Sequence, residues 1–409
     1  MPSGEPAFYF LSARKGTDQL MPQFDQYIRL SGFYFFYFAL LGALVPYWSL
    51  YLKSFQFDAQ TIGSLMALLQ LSRIVAPNLW GWMADKSGKR VEIVRFGALM
   101  TCIMFVGIFW QTTAIGIGLV MLGFSFFWNA VLPQFEVITL SQLGKDKARY
   151  SRIRLWGSIG FIVTVAGLGA LLDYIDIRWL PWILFGLMIL IWLNTLFIPP
   201  TTAQSDAAQI SADNRSFMQL LLRPQVMVFF IICFLVQFGH GAYYTFYSVL
   251  MVDVGFSRSE VGLLWAVGVI AEVIIFIYMH WVIQRWGIRN IMLVSLLLCV
   301  VRWWLIGLVP ENLWIMLFAQ TLHAATFGTL HAVGIALVHQ YFTEKTHGQG
   351  QALFSSVGFG LGGALGAYVS GLLWDDFGSF TTFYVSALAS LIAVVLAFVW
   401  IFPQQFRDK

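Results

Sequence analysis

Apolar residues in this chain neither alternate nor recur on one face; they continue for about twenty residues, stop at a short polar break, and resume. The windows fall at 27–52, 60–83, 91–110, 114–142, 154–172, 180–198, 225–251, 259–283, 290–309, 312–340, 349–373 and 380–402. Each is long enough to cross the roughly 30 Å hydrocarbon layer as a helix. Backbone amides have no water to bond in that layer, so continuous runs of this kind can satisfy them only helically. The pattern predicts an all-α integral membrane protein with twelve transmembrane helices.

The polar breaks are unequal. Pro199 to Pro224 is the longest, and it falls after the sixth window. It divides the chain into a tail at 1–26, a six-helix bundle at 27–198, a linker at 199–224, a second six-helix bundle at 225–402 and a tail at 403–409. Within the linker, Ala203 to Asn214 is too polar and too poor in large apolar residues to fold alone. Phe217 to Leu222 can lie along the membrane surface.

A second break is repeated. Gly81-Trp82-Met83-Ala84-Asp85-Lys86-Ser87-Gly88-Lys89-Arg90 separates spans two and three, and Trp281 to Arg289 stands in the same place after span eight. Lys86, Gly88 and Arg90 are matched by Arg285, Gly287 and Arg289, whereas Asp85 becomes Gln284 and Gly81 becomes His280. Span five is echoed too, with Trp156 to Phe161 aligning on Phe354 to Phe359. Two repeated halves with a site between them is how rocking carriers are built, so the two bundles are expected to be pseudo-symmetric.

Composition strengthens this reading. The chain is 59% hydrophobic and 11% charged, outside the range of a soluble 409-residue domain. About 19 of the 24 Lys and Arg lie in or beside the termini and even-numbered loops. Only Lys53, Arg178 and Arg258 belong to odd loops, and Arg73 and Arg302 sit within spans. Basic residues stay cytoplasmic, so both termini and the even loops are expected there. The net charge of +4 reflects topology, not nucleic-acid binding. Tyr27 to Leu52 lacks a small-residue cleavage site and reads as a first span, not a signal peptide. Cys102, Cys233 and Cys299 lie within apolar runs without metal spacing, as small packing residues.

The Gly81 to Arg90 hinge, with the twelve-span layout, resembles the loop signature of the major facilitator superfamily. Phe35 to Phe38, Pro46 to Lys53, Ala76 to Asp85, Arg154 to Ser158 and Leu322 to Phe327, with His331 beyond, resemble its phenylpropionate permease-like group, related to the oligosaccharide:proton symporters and lactose permease. The resemblance implies alternating access, with a gating role for Gly81, Asp85, Gly88 and Arg90. Physically, a carboxylate at a helix end pairs with nearby cations or a helix N-terminus.

Charges inside spans cost roughly 2.5–3.5 kcal/mol each unless paired or solvated, and five invite explanation: Arg73, Glu136, Arg154, Glu272 and Arg302. Glu136 and Arg154, 18 residues apart, resemble the carboxylate and guanidinium that hold sugar in lactose permease. The carboxylate accepts hydroxyl hydrogens and the guanidinium donates a fixed fork. Asn129 shares the helical face of Glu136. Phe161 replaces the stacking Trp of the sugar symporters, which puts galactosides in doubt but keeps a ring-bearing substrate. Tyr34 and Tyr37 on span one, and His240 and Tyr244 on span seven, are further candidate lining residues.

Glu272, Arg302 and His323 resemble the symporters' proton-coupling cluster. Burial favours the neutral carboxylic acid and a nearby guanidinium favours the carboxylate, so relative motion would capture or release a proton. His323 can orient the acid or touch substrate. Thr326 stands where the symporters carry a second acid. Arg73 is expected to contact a helix or a carbonyl, His331 lies about 80° around its helix from His323, and the Gly358, Gly362 and Gly366 ridge permits close helix contact.

No P-loop, nucleophile elbow or metalloprotease motif is present, and no loop is long enough for a nucleotide domain. The expected protein is not an enzyme. It is a monomeric, proton-coupled symporter of the bacterial inner membrane, with no cofactor beyond the proton gradient. It takes a small ring-bearing solute, either a phenylpropanoate-like acid or a sugar or glycoside. A nucleoside:proton symporter, a proton-driven efflux antiporter (disfavoured by the absence of proline in span five) and a membrane sensor remain as alternatives.

Overall fold

The computed structural model describes residues 14–144, 146, 149–199 and 214–401, with side chains from Asp25 to Pro199 and from Phe217 onward, apart from the three loop residues omitted above. Of the stretch Ala203 to Asn214 expected to be disordered, residues 203–213 lie outside the described residues and Asn214 is helical; the first residues of the N-terminal tail and the tail at 403–409 also lie outside.

The first half comprises α1 (Arg14–Lys53), α2 (Ala59–Ser87), α3 (Arg90–Phe105), α4 (Ala114–Leu143), α5 (Tyr150–Leu172) and α6 (Leu180–Leu196). A short helix α7 (Asn214–Leu221) precedes α8 (Pro224–Asp253), α9 (Arg258–Leu308), α10 (Leu313–Thr321), α11 (Leu330–Tyr341), α12 (His347–Phe354) and α13 (Gly363–Leu396). Ten helices among the described residues are long and apolar enough to cross a membrane. Two of the ten are double: the segment from Arg258 to Leu308 is broken at Gly287 (φ 71°), and that from His347 to Ile401 at Gly378 (φ 78°). The twelve expected spans are therefore present. The loops expected after spans eight and eleven are reduced to single left-handed glycines, a conformation that costs glycine little.

Helix starts follow local chemistry. Asp58 accepts from the Thr61 amide at the head of α2, and Ser257 with Glu260 forms a capping box at the head of α9. Gly88 (φ 67°) ends α2 at the hinge, and Gly287 holds the matching position in the second half. The two glycines share a positive φ but differ in ψ (1° and 152°), so the repeat keeps the glycine and not the full backbone conformation. The α7 segment, expected at the membrane surface, stacks Phe217 on Phe342 at 5.4 Å and leaves Met218 exposed.

The halves are fused at one end only. A continuous buried core joins first-half residues to Tyr243, Tyr247, Trp265, Ala367 and Phe383, whereas the even-loop end of the second half has a separate core around Phe229, Leu296 and Phe354. At the odd-loop end, Lys53 Nζ meets both Asp253 oxygens at 2.6 and 2.7 Å. The Asp375 carboxylate accepts from the Ala59 amide at 2.8 Å, capping α2. Asp173 accepts from the Arg258 and Ser259 amides at 2.8 and 3.1 Å, capping α9. Each half thus places a carboxylate from the end of one helix on the N-terminus of a helix in the other, where the exposed amides and the dipole favour a negative charge. Backbone contact is close beneath these caps: a Cβ on Gly63 would meet the Ala367 carbonyl at 2.6 Å.

Burial alone would raise the pKa of Asp173. The hydrogen bonds from Ser259 and Arg258 outweigh it and hold the carboxyl below the ordinary carboxylate range. A depressed carboxyl contributes its stabilisation above that range and loses it as pH falls through the lowered value. The odd-loop end is therefore expected to stay closed at neutral pH and to loosen only in strong acid. Helix caps contribute roughly 0.5–2 kcal/mol each, so replacing both Asp173 and Asp375 with Ala should shift the closed-to-open ratio at least about fivefold. Spin labels at the exposed positions Tyr174 and Glu311 should then report longer distances, and an unchanged distribution would show that the caps do not hold the ends together.

Candidate substrate and proton site

On the first half, Glu136 is carried by α4 and Arg154 by the first turns of α5. Arg154 Nε lies 3.9 Å from Glu136 Oε1, and both side chains remain about one-third exposed (33% and 38%). This is a long contact, with room for a third group. Tyr150 donates to the same Glu136 oxygen at 3.4 Å, and the guanidinium sits 4.0 Å above the Phe38 ring. Neither Tyr150 nor Phe38 was expected in the site, although Tyr150 is one helical turn from Arg154 and so on its face.

On the second half, Arg302 is fully buried and held by four acceptors. Its Nε donates to the Ala319 carbonyl (3.1 Å), Nη1 to Thr326 Oγ1 (2.9 Å), and Nη2 to Gln320 Oε1 (3.3 Å), while the Tyr243 ring packs 4.3 Å away. Nη1 also meets His323 Nδ1 at 3.0 Å. A guanidinium has only donors, so Nδ1 is the accepting nitrogen and the imidazole proton resides on Nε2. That nitrogen faces Glu272 Oε2 at 3.5 Å. The acid and the arginine, expected as direct neighbours, are joined through His323. Thr326 supplies a neutral acceptor where the sugar symporters have an acid. Gln320 is the other unforeseen member; a polar residue one turn before His323 within an apolar run was its signal.

The two clusters lie within electrostatic range of each other, Arg154 acting on both Glu272 and His331. His331 owes its place to a π-helical segment, Ala324–Thr329, between α10 and α11. The wider turn brings it round beneath His323, so that His323, Phe327 and His331 form a column of rings at 5.2 and 6.3 Å. Straight α-helical counting had placed it aside; π-bulges of this kind recur at functional sites.

Other expected lining residues are placed differently. Asn129 donates to Ser72 Oγ at 2.7 Å and to the Leu69 carbonyl at 3.4 Å, so its amide pins α4 to α2. His240 is fully buried, its Nδ1 bonded to the Val236 carbonyl and its ring edge-on to Trp303. Phe161 is buried, and its backbone presses against Gly42 on span one, so it offers no free stacking face in this state. Tyr34 and Tyr37 are buried with their hydroxyls directed to Thr139 and the Trp128 carbonyl. Tyr244 is the half-buried member of its helix face, with its ring parallel to Trp265 at 6.2 Å. Arg73, expected on a carbonyl, has neither hydrogen bond nor ion pair among the described residues, and its electrostatic neighbours are Tyr37 and Tyr244. At the hinge, Asp85 pairs with Arg90, which also bonds Gln134; all three belong to the first half. No metal-binding group occurs among the described residues.

This architecture has named counterparts. The sequence matches the MFS_1 like family over residues 27–385. The chain belongs to that family. It is 29% identical to the probable 3-phenylpropionic acid transporter of Escherichia coli K12 over 89% of this chain and 95% of that protein. It is 23% identical to the maltose permease of Geobacillus stearothermophilus over 89% and 92%. A crystal structure of the nucleoside transporter NupG superposes with a TM-score of 0.79 at 22% identity, covering 92% of this chain and 98% of that one. The fold is that of the major facilitator carriers, and the protein is a multi-pass membrane transporter, not an enzyme.

The Arg302 network makes a stability prediction. Lysine cannot reproduce the guanidinium fork, and each buried acceptor left unpaired costs roughly 1–3 kcal/mol. Arg302→Lys should lower the thermal unfolding temperature in detergent markedly, whereas Arg154→Lys, at a half-open position, should change it little.

Proposed function

We propose that this transporter is a proton-coupled symporter that imports a small ring-bearing solute, with an aromatic monocarboxylate favoured. The observation that carries the reading is the pairing of a loose Glu136–Arg154 contact on one half with the Glu272–His323–Arg302 chain on the other. The first has spare donors and acceptors for a ligand. The second holds a carboxyl whose partner, a neutral imidazole fixed with its N–H outward, can approach or withdraw as the halves rock.

In this mechanism a proton enters on Glu272, substrate binds between the halves, and rocking exposes both to the other side. Tightening of the His323 contact then favours the carboxylate and proton release. The basic residues assign the even loops to the cytoplasm. The separate cores at that end then correspond to an inward-open state, and the Asp173 and Asp375 caps seal the periplasmic end. Asp85 and Arg90 would act when that end opens and the cytoplasmic end closes. A sugar is the second reading, because Glu136 and Arg154 together offer the acceptor and donor that vicinal hydroxyls need.

Reconstitution in vesicles tests coupling. Glu272→Gln is expected to abolish accumulation driven by a pH gradient while sparing substrate exchange; full uphill uptake by that variant would remove Glu272 from the mechanism. Glu136→Gln should weaken binding of a neutral sugar and leave an aromatic acid tolerated. Indifference of both solutes to changes at Glu136 and Arg154 would displace the site.

A further inference from the structure

Four of the five charges inside the spans have partners: Glu136 with Arg154, Glu272 with His323, and Arg302 with four acceptors. The fifth is Arg73. It is the central residue of the 29-residue helix α2, with 14 residues on either side (59 to 72 and 74 to 87). Its side chain is half-buried and makes no hydrogen bond or ion pair among the described residues. A guanidinium at mid-span is costly unless a partner, water or a ligand satisfies it.

Its position is nonetheless firmly set. Ser72 accepts from Asn129 on α4 at 2.7 Å. On the other side, the Ile74 carbonyl accepts from Ser356 at 3.5 Å, and the Ile74 side chain packs where a Cβ on Gly360 would stand, 2.5 Å away. The residues flanking Arg73 are thus tied to opposite halves. The two groups that act on its charge are Tyr37 of the first half and Tyr244 of the second. The Tyr37 hydroxyl is directed to the Trp128 carbonyl. Tyr244 has ring contacts with Tyr243 and Trp265, but its hydroxyl makes no hydrogen bond among the described residues.

We infer that Arg73 and Tyr244 form the receptor for a substrate carboxylate, at the seam between the two halves. A planar fork of N–H groups and an O–H within electrostatic range of it are donors that a carboxylate takes up, and the parallel Tyr244 and Trp265 rings offer an aromatic wall. Charge balance points the same way. With neutral imidazoles, the three mid-span arginines outnumber Glu136 and Glu272 by one charge when Glu272 is ionised and by two when it carries its proton, so an anionic ligand is favoured in either state. Arg154 already has Glu136, so it orients the ring-bearing body of the substrate and does not hold its acid group. The inference rests on the aromatic-acid arm of the proposed function and names the residue that selects for it.

The test measures equilibrium binding to purified protein, which needs no coupling, of 3-phenylpropanoate, benzoate and cinnamate and of their uncharged amides. Wild type is expected to prefer acid over matching amide at least tenfold. Arg73→Gln should erase that preference by weakening the acid alone, Arg73→Lys should restore part of it, and Tyr244→Phe should reduce it. Arg154→Gln should weaken acid and amide alike. Thermal unfolding of each variant shows that it is folded, and Arg73→Lys carries the test if Arg73→Gln is not. An acid-to-amide ratio unchanged in Arg73→Gln overturns the assignment, as does a ratio lost only in Arg154→Gln, or absence of binding by every acid. Proton-coupled uptake and its dependence on Glu272 are read separately in vesicles, so failure of the symporter reading is distinguishable from failure of the carboxylate site.

Discussion

Two carboxylates hold the molecule in its observed state. Asp375 sits on the first amide of α2 and Asp173 on the first two amides of α9, each reaching across from the opposite half. A helix N-terminus presents unpaired amides and a positive dipole end, so this exchange satisfies both helices with residues they do not own. The Lys53–Asp253 pair stands beside them. Together with glycine-lined contact below, these bonds bring the halves into one core at the odd-loop end. With the halves joined there, the even-loop end keeps separate cores, and Glu136 and Arg154 stay about one-third exposed.

So polar a set of side chains at membrane depth requires a partner or solvent for each charge. The charges are managed in three ways. Arg302 is enclosed and held by four acceptors, which makes it a fixed post. Glu136 and Arg154 are loosely paired and accessible, which suits a group that must exchange partners. Arg73 is unpaired, and its position between Tyr37 and Tyr244 ties its charge to both halves at once. A ligand that satisfies it draws on donors from both sides of the seam and therefore favours bringing them together, the link between binding and rocking that a carrier requires.

Much of this was legible in the chain. Unbroken apolar runs determine twelve spans because the bilayer admits no other backbone solution. The repeated hinge was visible as Lys86, Gly88 and Arg90 against Arg285, Gly287 and Arg289, and the structure extends the match to the left-handed glycines. Glu136, Arg154, Glu272, Arg302 and His323 stood out because charge inside a span is costly enough to need a reason. Asn129, Phe161 and His240 pack against other helices in this state, which spacing does not reveal: it tells which residues share a face, but not whether that face meets a cleft or another helix. His331 was misplaced because counting in steps of 100° assumes an uninterrupted α-helix, and the π-helical segment at Ala324–Thr329 breaks that assumption.

The sequence alone determined membrane insertion, span number, the two-half repeat and the identity of the costly charges, since each depends on local composition set against a uniform solvent. Only the tertiary structure decided which charges are satisfied. His323 intervenes between Glu272 and Arg302, Asp173 and Asp375 serve helices in the opposite half, and Arg73 has no hydrogen-bond or ion-pair partner among the described residues. Those outcomes depend on contacts between residues up to 316 positions apart, as with Ala59 and Asp375, and no local pattern encodes which of two opposing faces will meet.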